Sequence, residues 1–190
     1  MSVVEMGLDA QAGTLIDAFK AEDFYVDRLF AIAEIGDAAQ ARAEAMRRQR
    51  DSPQDTLVSV EYAPSVYAAL ALRSGKSAEG VGLMRDAEQY ELRDPTIAYL
   101  RGQAFLTAKM GTEADAEFRK LIVNPGIDGP LSPLHALSHL NLARALVLQN
   151  KPAEARAEYT QLLAIWGAAD LDLPPLKQAK VEMERSPAQQ

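Results

Sequence analysis

The sequence predicts an all-α protein, and three observations carry that prediction. Alanine, the strongest helix former, supplies 33 of the 190 residues. Apolar residues recur at helical spacing along almost the whole chain. Proline stands at the start of successive helical segments, at Asp94-Pro95, Ser132-Pro133 and Lys151-Pro152, where its missing N–H costs nothing.

Taken in order, Leu8, Ala12, Leu15, Ile16 and Phe19 share one helical face. A second helix is expected from Phe24 to Ile35, stopped by Gly36. Asp37 then opens a third, with Gln40 three residues on in capping-box spacing. Arg47, Arg48 and Arg50 close it, as cations at the negative end of a helix dipole. Val58, Val60 and Tyr62 alternate with Ser59 and Glu61 like a strand, but no neighbouring segment offers a partner. They read as the lead-in to a helix with Pro64 in its first turn, ending at Ser74-Gly75. Further helices follow at 77–90, 95–110, 112–123, 133–149, 152–166 and 175–185. Two longer connections remain, NPGIDGPL at 124–131 and GAADLDL at 167–173.

Charge and composition exclude several classes of function. The net charge is −7, which disfavours a surface tracking nucleic-acid phosphates. An apolar share of 48% is too high for a disordered chain. With no cysteine there is no disulfide scaffold, zinc finger or thiol nucleophile. No apolar run reaches the roughly 18 residues a membrane span needs. The opening MSVVEMGLDAQ lacks the pattern of a signal peptide. No membrane contact by this segment is expected. The compartment stays open: cytoplasm, or periplasm if a parent chain is membrane-anchored.

Helices of this length joined by tight turns call for a repeat search. Gly102, Phe105, Ala114 and Phe118 match a pattern of small, large, small, aromatic across a helix pair. Ala143, Leu146, Ala155 and Tyr159 match it again, and Ala68, Ala71, Gly80 and Met84 in degenerate form. Leu29, Ile32, Ala41 and Ala45 match weakly. The small residue of the second helix falls at 41, 80, 114 and 155. Glycine or alanine at these places lets two backbones touch, and the large residues fill the gaps. One such unit cannot bury both faces, so units stack.

This pattern is that of the tetratricopeptide repeat (TPR). The segments YLRGQAFLTAKMGTEADAEFRKLI, HALSHLNLARALVLQNKPAEARAEYTQLLAIW and PPLKQAKVEMER resemble the C-terminal TPR region of bacterial multidomain serine/threonine protein kinases and winged-helix transcriptional regulators. The resemblance covers residues 50–185 well and 1–50 loosely. It implies a right-handed superhelix of antiparallel helix pairs, an α-solenoid. The expected domain spans 1–190: a flanking helix at 1–22, repeats at 23–53, 61–92, 95–125 and 133–167, and a capping helix at 174–186. It also implies further helices upstream of Met1, covering the apolar face around Leu15 and Phe19. The chain carries no glycine-rich kinase loop and no His-Arg-Asp segment, so no kinase activity is carried over.

Catalytic motifs fail on inspection. Gly75-Lys76-Ser77 looks like the end of a phosphate-binding loop, but position 70 is Leu and a helix, not a strand, precedes it. His135 and His139 lie i, i+4 on one helix, a zinc spacing without a third ligand or general base beside it. Asp128, Asp170 and Asp172 lack the loop pattern of a calcium site. No cofactor, metal or catalytic residue is expected.

In superhelices of this kind the first helix of each unit lines a concave face. Counting around those helices places Ser65 and Ala69, Tyr99 and Gln103, and Asn141 and Arg144 there, joined by Tyr62 if its helix begins early. Such side chains suit an extended peptide backbone, and Tyr and Arg are frequent hot spots. The expected function is a non-catalytic protein-interaction module, the sensory or scaffolding region of a larger regulator. It would bind a peptide through Ser65, Tyr99, Gln103, Asn141 and Arg144. A self-association module forming a weak homodimer is the alternative, and a metal enzyme built on the histidine pair a more distant one.

Overall fold

The computed structural model describes residues 33, 37–124, 133–167 and 173–185. The helix expected at 8–19 lies outside them, as do Asp128, Asp170 and Asp172, and of the helix expected at 24–35 only Ala33 is described, as a buried helical residue. The described residues are helical with no strand among them, as the composition predicts. They fall into two compact units, the chain passing from one to the other between Tyr90 and Glu91.

In the first unit, α1 runs Ala38–Asp51. Asp37 caps it as expected, its Oδ1 accepting from the N–H groups of Ala39 at 2.7 Å and Gln40 at 3.1 Å. The next helix starts earlier than the sequence suggested. Asp55 accepts from the N–H groups of Leu57 and Val58, so the chain is already helical from Thr56. The strand-like alternation of Val58–Tyr62 is a π-helical turn instead, leading straight into α2, Ala63–Arg73. Pro64 explains the wider turn. A proline inside a helix offers no N–H, its ring crowds the carbonyl four residues back, and a π-turn opens room for it.

α2 ends in a tight turn at Gly75, which has φ +73°. The expected helix at 77–90 is split. α3 stops at Leu83, and only a 3-10 turn, Asp86–Tyr90, follows. Gly80 and Gly82 inside seven residues weaken this helix. Gly80 is buried against Leu72 of α2, so the small residue expected at a helix contact is found at one.

The second unit holds α4 (Pro95–Thr107), α5 (Gly111–Val123), α6 (Leu134–Leu148), α7 (Pro152–Ile165) and α8 (Pro174–Arg185). Consecutive helices pack side by side in opposite directions, so α4, α6 and α8 run the same way. Phe118, Leu137, Leu140, Leu146 and Leu162 are fully buried among them. Gly102, Ala114, Ala143 and Ala155 are buried as the pattern requires. A Cβ on Gly102 would lie 2.7 Å from the Phe118 ring, so this glycine is what lets α5 close on α4. Gly111 is as tight: a Cβ there would meet the Ala145 carbonyl oxygen at 2.8 Å. α8 turns Leu176 and Ala179 inward and leaves Lys177 and Lys180 exposed.

One turn recurs. Gly75, Lys109 and Asn150 all have positive φ, at 73°, 62° and 58°. In each case the next N–H reaches back five residues: Lys76 to Ala71, Met110 to Phe105 and Lys151 to Leu146. The backbone thus repeats the step of 34 and then 41 residues that the small side chains show.

Candidate recognition surface

The five side chains expected at a peptide groove have different fates. Ser65, in the first unit, is buried, and its hydroxyl donates to the Glu61 carbonyl at 2.7 Å. Tyr99 is 2% exposed and Asn141 1%. They meet across the seam between α4 and α6, Asn141 Nδ2 donating to Tyr99 Oη at 3.0 Å. Both were expected to face a ligand, and the structure corrects that: they face each other. Gln103 is half-buried.

Arg144 was expected as a local positive spot open to an acidic segment. Here it is already engaged. Its Nε and Nη2 each lie 2.9 Å from a carboxylate oxygen of Glu182 on α8. Nη2 also donates to Gln178 Oε1 at 2.8 Å, and Nη1 to Asn141 Oδ1 at 3.0 Å. Glu182 accepts a third donor, the Tyr159 hydroxyl, at 2.9 Å. Burial, and then the neighbouring Glu182 carboxylate, push the Tyr159 phenol well above its ordinary range. A continuous polar chain therefore runs Tyr99–Asn141–Arg144–Glu182–Tyr159 and fixes the register of α4, α6 and α8.

What the chain leaves accessible is one turn further along. Leu106 follows Gln103, Val147 follows Arg144 and Val181 follows Gln178, each at i+3 and so on the neighbouring row of its own helix. Leu106 is partly buried, whereas Val147 and Val181 are 47% and 43% exposed. Each of the three parallel helices offers the same pair in order, a long polar side chain and then an aliphatic one. Spacing alone did not single out this aliphatic row. Its signal was present, but it counts as ordinary surface until the partners of Tyr99 and Asn141 are known.

The other motifs have structural surroundings. Gly75-Lys76-Ser77 forms the turn between α2 and α3. His139 Nδ1 lies 2.6 Å from Glu158 Oε2, and the rings of His135 and His139 stand edge to face with centroids 5.1 Å apart. Among the described residues no three His, Cys, Asp or Glu side chains are grouped to hold a metal ion. None of the described helices is long and apolar enough to cross a membrane.

A second network ties α4 to α5. Arg101 Nη2 lies 2.9 Å from Glu117 Oε1, and Lys120 Nζ bridges Glu117 at 3.0 Å and Glu91 at 2.8 Å. Burial raises the Glu117 carboxyl above its usual range, against the pull of Lys120 and Arg101. Its place beneath the helix pair marks it as architecture. Compared with protein-family models, with curated proteins and with solved structures, the chain finds no match.

Proposed function

We propose that this chain is a TPR-like α-solenoid acting as a non-catalytic protein–protein interaction module. On this reading it is the recognition or scaffolding region of a larger bacterial regulatory protein. A peptide segment lies across α4, α6 and α8, gripped by Gln103, Arg144 and Gln178 and by the aliphatic row Leu106, Val147 and Val181. The observation that carries the reading is the parallel setting of these helices, held by the Tyr99–Asn141–Arg144–Glu182 chain. A pre-ordered surface loses little entropy on binding, which is what a short peptide ligand needs.

Tyr99 and Asn141 act here as scaffold, and Arg144 presents what remains of its guanidinium edge. The test is selection from a random-peptide display library on immobilised protein. Enrichment of a related peptide family, competed by the free peptide and lost in Val147→Glu/Val181→Glu, supports the reading. Absence of enrichment, or enrichment indifferent to these two positions, contradicts it.

A further inference from the structure

His135 and His139 stand one turn apart on α6, their ring centres 5.1 Å apart and their planes at 89°. That separation is what one metal ion shared by two imidazoles requires. With a metal–nitrogen distance of about 2.0–2.1 Å, each ring centre lies about 3.2 Å from the ion, and a tetrahedral angle then sets the two centres about 5 Å apart.

Two further observations separate this pair from ordinary ring packing. His139 is oriented from behind: its Nδ1 lies 2.6 Å from Glu158 Oε2 on α7. A carboxylate on one ring nitrogen keeps the proton there, fixes the ring, and leaves the Nε2 lone pair for a ligand with raised basicity. The spacing of the two histidines showed no acid beside them, and the fold supplies one from the next helix. His135, in turn, has a buried Nδ1 with no hydrogen-bond partner. A buried ring nitrogen that no protein group satisfies is uncommon in a folded chain and points to a ligand that does. His135 is half-buried and the Glu158 side chain 20% exposed, so the pair lies at the edge of the core, within reach of solvent.

We infer that His135 and His139 bind one divalent late transition-metal ion, Cu²⁺ most tightly, with Glu158 as a positioning residue and water completing the coordination shell. Imidazole suits copper, nickel and zinc, whereas magnesium and calcium take oxygen ligands. For a given set of nitrogen ligands, Cu²⁺ binds more tightly than Ni²⁺ or Zn²⁺. Among the described residues no third His, Cys, Asp or Glu joins the pair as a ligand. The site therefore holds its ion by two protein nitrogens, one fewer than a catalytic zinc site uses. An ion there clips the first two turns of α6 together, and through Glu158 it bears on α7. The inference does not depend on the peptide surface, and either can fail alone.

Calorimetric titration of the metal-free protein with CuCl₂, NiCl₂ and ZnCl₂ in a non-chelating buffer tests it, with electron paramagnetic resonance of the Cu²⁺ form as the second readout. His135→Phe keeps a flat ring against His139 and removes the nitrogens, and Glu158→Gln keeps the side-chain shape and removes the carboxylate. Circular dichroism of each variant without metal checks that it folds. The expected result is one Cu²⁺ per chain, with a dissociation constant of about micromolar or below, and weaker Ni²⁺ and Zn²⁺. His135→Phe should weaken Cu²⁺ by about tenfold or more, and the resonance spectrum should change from two coordinated imidazole nitrogens to one. Glu158→Gln should weaken Cu²⁺ by about tenfold while keeping the two-nitrogen spectrum, as a positioning residue requires. Absence of saturable binding, Cu²⁺ affinity unchanged in a folded His135→Phe, or a parent spectrum with fewer than two imidazole nitrogens overturns the inference.

Discussion

Asn141 and Tyr99 stand 42 residues apart and share one hydrogen bond of 3.0 Å, with both side chains buried. That bond closes the seam between two parallel helices, and Arg144 carries it on to a third through Asn141 Oδ1 and Glu182. Three residues that look like ligand contacts on a helical wheel are thus the fasteners of the surface. This changes what their mutation should do.

Tyr99→Phe removes one buried hydrogen bond and should cost about 1 kcal/mol. Arg144→Ala strips Glu182 of its cation and should cost about 1–2 kcal/mol, since the pair is only partly exposed. Neither variant is a clean probe of binding. Urea denaturation should show both losses, and protease cleavage within α8 should quicken in Arg144→Ala. Unchanged midpoints would mean the chain fastens nothing.

Gly102→Ala places a methyl 2.7 Å from the Phe118 ring and should cost about 1–3 kcal/mol by overpacking. Gly111→Ala meets a backbone oxygen that cannot swing aside, and should cost at least as much. Phe118→Leu shrinks the obstacle at Gly102 alone. In a double-mutant cycle it should relieve Gly102→Ala and leave the cost of Gly111→Ala untouched. Additive costs in both pairings would refute the contact.

Lys109 and Asn150 adopt the left-handed backbone that Gly75 adopts at the equivalent turn. Lys109→Gly should therefore gain about 0.5–1 kcal/mol, relief of the side-chain clash outweighing the entropy of a freer unfolded chain. Gly75→Ala should lose about 1 kcal/mol for the converse reason. Melting temperatures of the two variants moving in the same direction would rule out a shared turn geometry.

Alkaline pH should unfasten the protein. Burial raises the phenols of Tyr67 and Tyr159 above the usual 10.0. For Lys120 burial acts downward, but Glu91 and Glu117 more than offset it and hold the ammonium above 10.5. The folded chain keeps protons that the unfolded chain releases, so this stability is complete below about pH 10 and is lost as pH rises beyond it. Unfolding free energy should fall by about 1–2 kcal/mol between roughly pH 9 and pH 11, and Tyr159→Phe should flatten part of the fall. A profile level to pH 11 in the parent chain would contradict the burial of these groups.

Helix borders were legible because local chemistry writes them: Asp37 and Asp94 as caps, proline at first positions, and small residues where backbones touch. The start of α2 was missed because valine at alternate positions imitates a strand, and only the Asp55 cap and the Pro64 strain reveal a helix. The split after Leu83 was missed because two glycines lower helix propensity without marking where it breaks. The left-handed turn at Lys109 was hidden by a residue that usually avoids that conformation, whereas Asn150 is of a type that adopts it readily and was a signal left unread. The candidate surface was legible by helix and not by side chain. A wheel gives the angle of Tyr99 or Asn141 but not whether a ligand or another helix stands opposite, and nothing in the spacing announced that Glu182 would reach Arg144.

The most direct test of the recognition surface is a titration of one selected peptide into the parent protein and into Val147→Glu/Val181→Glu, read by calorimetry. Both valines are exposed, so the variant should keep its melting temperature. The account predicts saturable binding to the parent and a loss of about thirtyfold or more in the variant, the size of a hot-spot truncation. Equal affinity for the two proteins would contradict it and move recognition away from the face built by α4, α6 and α8.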